Sequence, residues 1–117
     1  MIELDKFIKI FQGLTSAYGQ TVKTDQFSEK GKHKTKSFTI SNPVTKKLWR
    51  EHLEGKDPAL GIVPITKENK CKWGCIDIDT YPFDHKKFIQ KLKQKNIPMV
   101  VCRSKSGGAH AFLFTKD

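Results

Sequence analysis

Two aspartates, Asp77 and Asp79, are the residues of this chain whose type and spacing point most clearly to chemistry. They lie two positions apart in a short apolar run, and alternate side chains of a β-strand project from the same face. Carboxylates held side by side repel each other, so the pair favours a shared cation. Mg²⁺ and Mn²⁺ prefer oxygen ligands and usually keep positions open for water and phosphates. The spacing therefore predicts a divalent metal site, and a solvated strand end is the simpler alternative.

The segments around this pair predict a compact α/β unit. Asp84 can cap a helix whose apolar positions fall on one side, and residues 97–102 and 109–114 have the composition of buried strands. A glycine-rich, cationic turn, residues 103–108, separates these two strands. A strand-helix-strand crossover normally makes its two strands parallel. If the sheet closes in that way, His110 and the turn lie on the same side as the acidic pair, while Ile76 and Ile78 face a core.

The two polar motifs together resemble those of the archaeo-eukaryotic primase superfamily, which includes primase-polymerases of phages, plasmids and mobile defence systems. The first motif matches Cys75 to Asp79, and the second matches Ser106 to His110, with Gly108 as its small residue. The upstream segment from Thr45 to Ile65 also resembles the phage and mobile-element branch. The resemblance covers most of the chain, and the two motifs are more specific together than either is alone.

The resemblance implies an α/β (α+β) fold with an RRM-like primase core, in which helices flank a mixed sheet. It implies metal-dependent nucleotidyl transfer in DNA replication, with Mg²⁺ or Mn²⁺ held by Asp77 and Asp79, and with His110 as the third catalytic residue. Its partners would be a single-stranded DNA template, a dNTP or NTP, and a helicase or other replication domains. The nucleotide-binding residues would be Arg103, Ser104, Lys105, Ser106, Gly107, Gly108 and His110.

The family has a third acidic motif on a later strand, and this chain ends at Asp117, seven residues past His110. We therefore expect residues 1–117 to form a single domain that is the N-terminal part of a primase-polymerase-like core, or a short relative that cannot complete the chemistry alone. Two other functions stay open. One is a non-catalytic nucleic-acid or nucleotide-binding module with this fold, and the other is a metal-dependent nuclease.

The composition predicts a globular protein that binds polyanions. Lysine and arginine number 22 against 12 aspartate and glutamate residues in 117, so the net charge is +10. A basic domain of this size attracts nucleic-acid phosphates, although a lysine-rich solvated surface has the same composition. No apolar run is long enough to span a membrane and no signal peptide is evident, so we expect a cytoplasmic protein with no membrane partner, in the host cytoplasm if viral.

The polar stretch from Ala17 to Lys36 is the most basic part of the N-terminal half. Tyr18 and Phe27 are interleaved with its lysines, and aromatic rings can stack on unpaired bases while lysines neutralise phosphates. The stretch is a candidate template-binding segment, and a surface loop or a hairpin without that role is the alternative. Its candidate nucleic-acid-binding residues are Lys23, Lys30, Lys32, Lys34 and Lys36.

The three cysteines do not have the spacing of a structural zinc site, so we expect buried free thiols in a reducing compartment. The glycine-rich turn lacks the P-loop pattern. Apolar periodicity and turn residues predict the remaining elements, which are helices over residues 3–14 and 44–53 and strands over residues 37–40 and 60–65.

Overall fold

The computed structural model describes residues 3–29 and 31–115. Between Lys70 and Cys71 the chain divides into two compact units, the N-terminal unit and the C-terminal unit. Both contain helices and strands, so the predicted α+β class is confirmed. The prediction of a single domain over residues 1–117 stays a prediction. Throughout the described ranges, no helix combines the length and apolar character needed to cross a bilayer.

The N-terminal unit is built on a three-stranded antiparallel sheet. The polar stretch predicted as a loop or a hairpin is a long hairpin, which forms two of the three strands. The elements of this unit are α1 (Leu4–Phe11), β1 (Tyr18–Phe27), β2 (His33–Ile40), α2 (Lys46–Leu53) and β3 (Ala59–Ile62). The sheet order is β2-β1-β3, so β2 and β3 are its edges.

Both helices of this unit are shorter than their apolar periodicity predicts, because tertiary hydrogen bonds hold the flanking backbone extended. The amide of Leu14 donates to the carbonyl oxygen of Val63, and that of Val44 donates to Thr15. The side chain of Thr45 caps α2 by accepting from the Leu48 amide. The two helices meet through the rings of Phe7 and buried Trp49, whose centroids lie 5.9 Å apart.

The C-terminal unit contains the second three-stranded sheet and one helix. Asp84 caps the helix through its side chain, which accepts from the Lys87 amide, as the sequence predicts. The elements are β4 (Trp73–Ile78), α3 (His85–Gln94), β5 (Met99–Arg103) and β6 (Ala109–Phe114). The helix α3 contacts β5, and the sheet order is β4-β6-β5.

Strand β6 lies between β4 and β5 and is antiparallel to both. The two strands joined by the helix therefore run in the same direction, as predicted, but they are not neighbours. The expectation of a mixed sheet is corrected, because the insertion of β6 makes every neighbouring pair in this sheet antiparallel, and the N-terminal sheet is antiparallel too.

One face of the C-terminal sheet is closely packed. Ala109 and Ala111 of β6 are fully buried there, and Leu92 of α3 is also buried. Ile76 was expected in the core on this face, yet it is 57% exposed. The reason is its position on the edge strand β4, whereas the helix contacts β5 at the opposite edge.

Candidate nucleotide and metal site

Asp77 and His110 lie directly opposite each other on neighbouring strands. They are register partners in the β4–β6 ladder, and Nε2 of His110 is 3.4 Å from Oδ1 of Asp77. Their side chains are 61% and 44% exposed, so this face of the sheet is open to a ligand. Cys102 is the register partner of His110 on the other side, which places all three residues in one row across the sheet.

The turn between β5 and β6 is closed by its own backbone. The Ser104 amide donates to the Gly108 carbonyl oxygen at 3.1 Å, and the Gly107 amide donates to the Ser104 carbonyl oxygen at 3.2 Å. The backbone angle φ of Gly107 is +94°, a value that residues with a side chain rarely adopt. A Cβ atom at Gly108 would overlap the carbonyl oxygen of Ile78. Glycine at this position therefore lets the turn lie directly against the end of β4.

Tyr81 connects this turn to the acidic end of β4. Its hydroxyl group donates to Oδ1 of Asp79 at 3.3 Å and lies 2.7 Å from Oγ of Ser106. The hydroxyl group of Ser104 lies 3.5 Å from that of Ser106. Asp79 follows the last residue of β4, so the predicted metal ligand and the predicted phosphate-binding serines belong to one group of polar side chains.

Sequence reasoning missed Tyr81 and His85 as parts of this site. Tyr81 lies between β4 and α3, and His85 is the first residue of α3. Nε2 of His85 lies 2.8 Å from the carbonyl oxygen of Gly108, so the helix start holds the turn from a second direction. The sequence does place a tyrosine and a histidine shortly after the acidic pair. Their spacing matches no motif that would mark them as site residues.

The pKa of the Cys75 thiol depends in part on the charge at Asp77. Partial burial raises the pKa of Cys75, and the nearby charges of Asp77 and Cys102 raise it further. The three cysteines are free, as expected, but they are exposed rather than buried. Two of them, Cys75 and Cys102, lie on strands of the open sheet, which explains their exposure.

Comparison with known proteins identifies the family. The sequence profile described as "TOTE conflict system, Archaeo-Eukaryotic Primase domain" matches residues 5–117. The chain belongs to this primase family. A search of curated proteins found no match, and a search of solved structures found none either. The match confirms the predicted superfamily and indicates a primase-like domain of a conflict system. Assignment to a phage branch, or to the N-terminal part of a longer polymerase, stays a prediction.

In this primase-family chain, five of the predicted nucleotide-binding residues lie in the turn or beside Asp77, and the two cationic ones, Arg103 and Lys105, do not contact the acidic pair. Ser104, Ser106, Gly107 and Gly108 form the turn against β4, and His110 lies beside Asp77. Arg103 is the register partner of buried Ala109, so it projects from the face opposite His110. Lys105 is exposed, and among the described residues no contact joins either cation to the acidic pair.

The donor set of the primase-family site fits an open magnesium or manganese site. Mg²⁺ is usually bound by one or two carboxylates together with substrate phosphates. Asp77 has no lysine or arginine partner within the part of the chain that the structure describes, and Asp79 accepts only from Tyr81 there. In the same residues no three His, Cys, Asp or Glu side chains come close enough to enclose a metal ion. The carboxylates of Asp77 and Asp79 are therefore both available to a metal ion.

The predicted nucleic-acid-binding lysines lie on the hairpin and its turn. Lys23 is in β1, Lys34 and Lys36 are in β2, and Lys32 precedes β2 in the turn. All four are exposed. Lys30 lies outside the described residues. The structure therefore places four of the five lysines on an exposed hairpin and does not gather them at one point.

Proposed function

We propose that this chain is a primase-type nucleotidyltransferase domain that binds a nucleoside triphosphate with a divalent metal ion. The observation that supports the proposal best is the position of Tyr81, whose hydroxyl contacts both Asp79 and Ser106. This contact holds a glycine-rich, hydroxyl-bearing turn beside two exposed carboxylates. Phosphate and a divalent cation require those two kinds of group next to each other.

Asp77 and Asp79 would hold the cation in this proposal. When bound, Mg²⁺ or Mn²⁺ would activate an attacking 3′-hydroxyl group and neutralise charge on the leaving pyrophosphate. The exposure of the Asp77 side chain leaves room for a phosphate oxygen beside the carboxylate. The Tyr81 hydroxyl would orient Asp79 by occupying one lone pair of its Oδ1 atom.

The turn would bind the triphosphate through its serines and through amides that the turn itself does not use. The Gly107 amide already donates to the Ser104 carbonyl oxygen, so we do not assign it to phosphate. Gly107 contributes to the site only through the backbone conformation that it gives the turn. Among the described residues the amides of Lys105 and Ser106 have no acceptor, and we assign them to phosphate oxygens. A ring N–H of His110 would donate to a phosphate oxygen, and the contact of His110 with Asp77 would position the ring.

A non-catalytic nucleotide-binding module is the second candidate function. The observation that favours it is the donor count, because the described residues provide two carboxylates and no third metal ligand. Binding of a triphosphate needs only the turn and His110, whereas the chemical step depends on full metal coordination. We therefore expect this chain alone to bind nucleotide and to extend a primer weakly or not at all.

The test is a titration with a non-hydrolysable nucleoside triphosphate and Mg²⁺, followed by NMR. Shifts are expected at residues 104–111 and at Asp77 and Asp79. His110→Ala should weaken binding about tenfold or more, because a charge-assisted hydrogen bond contributes about 1.5–3 kcal/mol. His33→Ala is the matched control, since His33 is an exposed histidine on β2.

Absence of shifts at millimolar nucleotide, or shifts confined to other segments, would contradict the proposal. Primer extension and DNA cleavage are assayed on the same sample. Cleavage without extension would favour the nuclease alternative, and binding without either activity would favour the non-catalytic module.

A further inference from the structure

The hairpin of the N-terminal unit extends beyond its sheet. Strand β3 pairs with β1 only from Tyr18 to Thr21, whereas β2 pairs with β1 as far as Phe27. The hairpin past Thr21 is therefore a two-stranded arm, and no other described strand pairs with either of its outer sides. An unpaired strand edge carries backbone donors and acceptors at regular spacing, so it is a potential site for another strand.

The two outer edges of this arm differ in regularity. Three residues of β1, Thr24 to Gln26, lie opposite the single residue Lys34 of β2. Such a bulge breaks the alternation of the strand that contains it. The break lies in β1, while β2 runs from His33 to Ile40 without an extra residue or a proline. Strand β2 therefore has the continuous edge.

Two contacts show which way the backbone groups of β2 point. The Lys34 carbonyl oxygen accepts from the hydroxyl group of Thr24 on β1 at 2.8 Å, so it faces β1. The Phe38 carbonyl oxygen also faces β1, because a Cβ atom built on Gly19 would lie 3.8 Å from it. Neighbouring residues of a strand direct their backbone groups to opposite sides. The alternate residues of β2 that direct their amides and carbonyl oxygens outward are therefore Thr35, Ser37 and Thr39.

Positive charge borders this outer edge. Strand β2 contains two lysines and no acidic residue, and seven of its eight residues are exposed. Lys34, Lys36 and Phe38 project from one face, because side chains alternate along a strand. The residues of β1 opposite Lys36 and Phe38 are the uncharged Val22 and Gln20. A strand added to β2 would therefore meet two lysines and then a half-exposed ring.

We propose that the outer edge of β2 binds an extended acidic segment of another protein by strand addition. The backbone of that segment would hydrogen-bond to Thr35, Ser37 and Thr39, and this pairing supplies affinity. Its side chains beside Lys34 and Lys36 would be carboxylates, because opposite charges on neighbouring strands attract. The recognised pattern is an acidic residue at alternate positions of an extended segment without proline.

Two other occupants fit this edge less well. A second copy of the chain would bring two lysine-bearing strands together, and like charges on neighbouring strands repel. A nucleic-acid strand would be attracted by the lysines, but it lacks the alternating donors and acceptors that the outward backbone groups require. Charge and backbone geometry together favour an acidic peptide.

The first test uses a labelled peptide as long as β2, in which glutamate alternates with threonine. Its binding to the full chain is followed by fluorescence anisotropy, with EDTA and without nucleotide. Methylation of every second peptide amide should abolish binding in one phase of the alternation and be tolerated in the other, because a strand pairs with β2 through one of its edges. Equal binding of the two methylated peptides would overturn the proposal, since charge alone would then be sufficient.

Amide hydrogen exchange, followed by NMR, identifies where the peptide lies. The amides of Thr35, Ser37 and Thr39 should exchange rapidly in the free chain and become protected when the peptide binds. The amides of Lys36 and Phe38 face β1, so their protection should change little. Binding without protection of the three outward amides would refute strand addition. Protection of these amides by self-association, without peptide, would refute the choice of partner.

Lysine substitutions test the charge of the partner. Lys36→Gln should weaken binding of the glutamate peptide about two- to fivefold, the usual range for loss of a cross-strand charge pair. Lys23→Gln is the matched control, because Lys23 is opposite Thr35 on β1 and so projects from the other face. Equal losses in the two variants, or equal affinity for a peptide with lysine in place of glutamate, would contradict the assignment.

A parallel titration with oligo-dT separates the peptide from the nucleic acid that the same lysines attract. Oligo-dT should leave the three outward amides unprotected. If it protects them and the peptide does not, the edge binds nucleic acid and the proposal is wrong. None of these samples contains a divalent metal ion or a triphosphate, so their outcome does not depend on the proposed catalytic function.

Discussion

Tyr81 and Ser106, which are 25 positions apart in the sequence, have hydroxyl oxygens only 2.7 Å apart. Since Tyr81 also donates to Asp79, one phenol links the end of β4 to the turn before β6. This link joins Asp79 to the turn, and in the proposed site it gives Tyr81 a role that can be measured.

Tyr81→Phe should weaken triphosphate binding about two- to tenfold, because a hydrogen bond contributes about 0.5–1.5 kcal/mol net. The affinity falls because the side chains of Ser106 and Asp79 each lose a hydrogen-bond partner that orders them. The NMR shifts that the nucleotide causes at both residues should therefore become smaller. Calorimetry with the non-hydrolysable triphosphate measures the affinity. Tyr18→Phe is the control, because Tyr18 is the other tyrosine of the chain and lies in β1. Equal losses in the two variants would show that the effect is not specific to the site.

Gly108→Ala should destabilise the C-terminal unit by about 1–3 kcal/mol, the usual cost of an overpacked position. The new methyl group would overlap the Ile78 carbonyl oxygen, so the turn must move away from β4. Gly74→Ala is the matched control, because a Cβ atom there meets nothing within 4 Å. Thermal unfolding gives the stability difference, and a triphosphate titration should show weaker binding for Gly108→Ala alone. Similar unfolding curves for the two variants would contradict the close approach of the turn to β4.

Replacing Asp77 and Asp79 together by Asn should abolish Mn²⁺ binding while the fold is retained. Both residues are exposed, so the change removes charge without disturbing the core. Calorimetry with Mn²⁺ measures the loss, and circular dichroism checks the fold. Asp25→Asn removes an exposed carboxylate from β1 and serves as the control. Mn²⁺ affinity that survives in the double variant would exclude these two residues as the metal site.

Mg²⁺ should accelerate alkylation of Cys75 at mildly alkaline pH. Partial burial of the thiol and then the charge of Asp77 hold the pKa of Cys75 above its usual value, so its reactive thiolate is scarce. A cation bound at Asp77 offsets that negative charge, lowers the pKa of Cys75 and increases the thiolate fraction. Mass spectrometry of iodoacetamide-labelled peptides gives the rate, and Cys71 of the same chain is the internal control.

Asp77→Asn completes this experiment. Loss of the carboxylate should raise the alkylation rate of Cys75 without metal and remove the response to Mg²⁺. If calorimetry detects bound Mg²⁺ while the rate at Cys75 stays constant in the unsubstituted chain, the ion is not bound at Asp77.

Local signals in the sequence were sufficient for much of the C-terminal unit. Asp84 as a helix cap, the strand containing Asp77 and the strand over residues 109–114 all agree with the structure. These features depend on neighbouring residues, through capping hydrogen bonds and side-chain periodicity, and can be recognised without the rest of the fold. The primase family was recognised in the same way, from two short motifs on adjoining elements.

Other features depended on which strands became neighbours. The sequence could not show that β6 lies between β4 and β5, so neither the antiparallel sheet nor the exposure of Ile76 was predictable. The ends of α1 and α2 were misjudged because hydrogen bonds from Leu14 and Val44 to distant carbonyl groups compete with the helix.

The chemical groups of the candidate site can be read directly from the sequence: two carboxylates, a glycine- and serine-rich turn and one histidine. Which of these groups meet depends on how the strands pair. Pairing of β4 with β6 places His110 opposite Asp77, and the absence of a side chain at Gly108 lets Ser106 reach Tyr81. Residue type belongs to each position separately. A contact between residues 25 positions apart depends instead on the sheet register and on the space available between backbones.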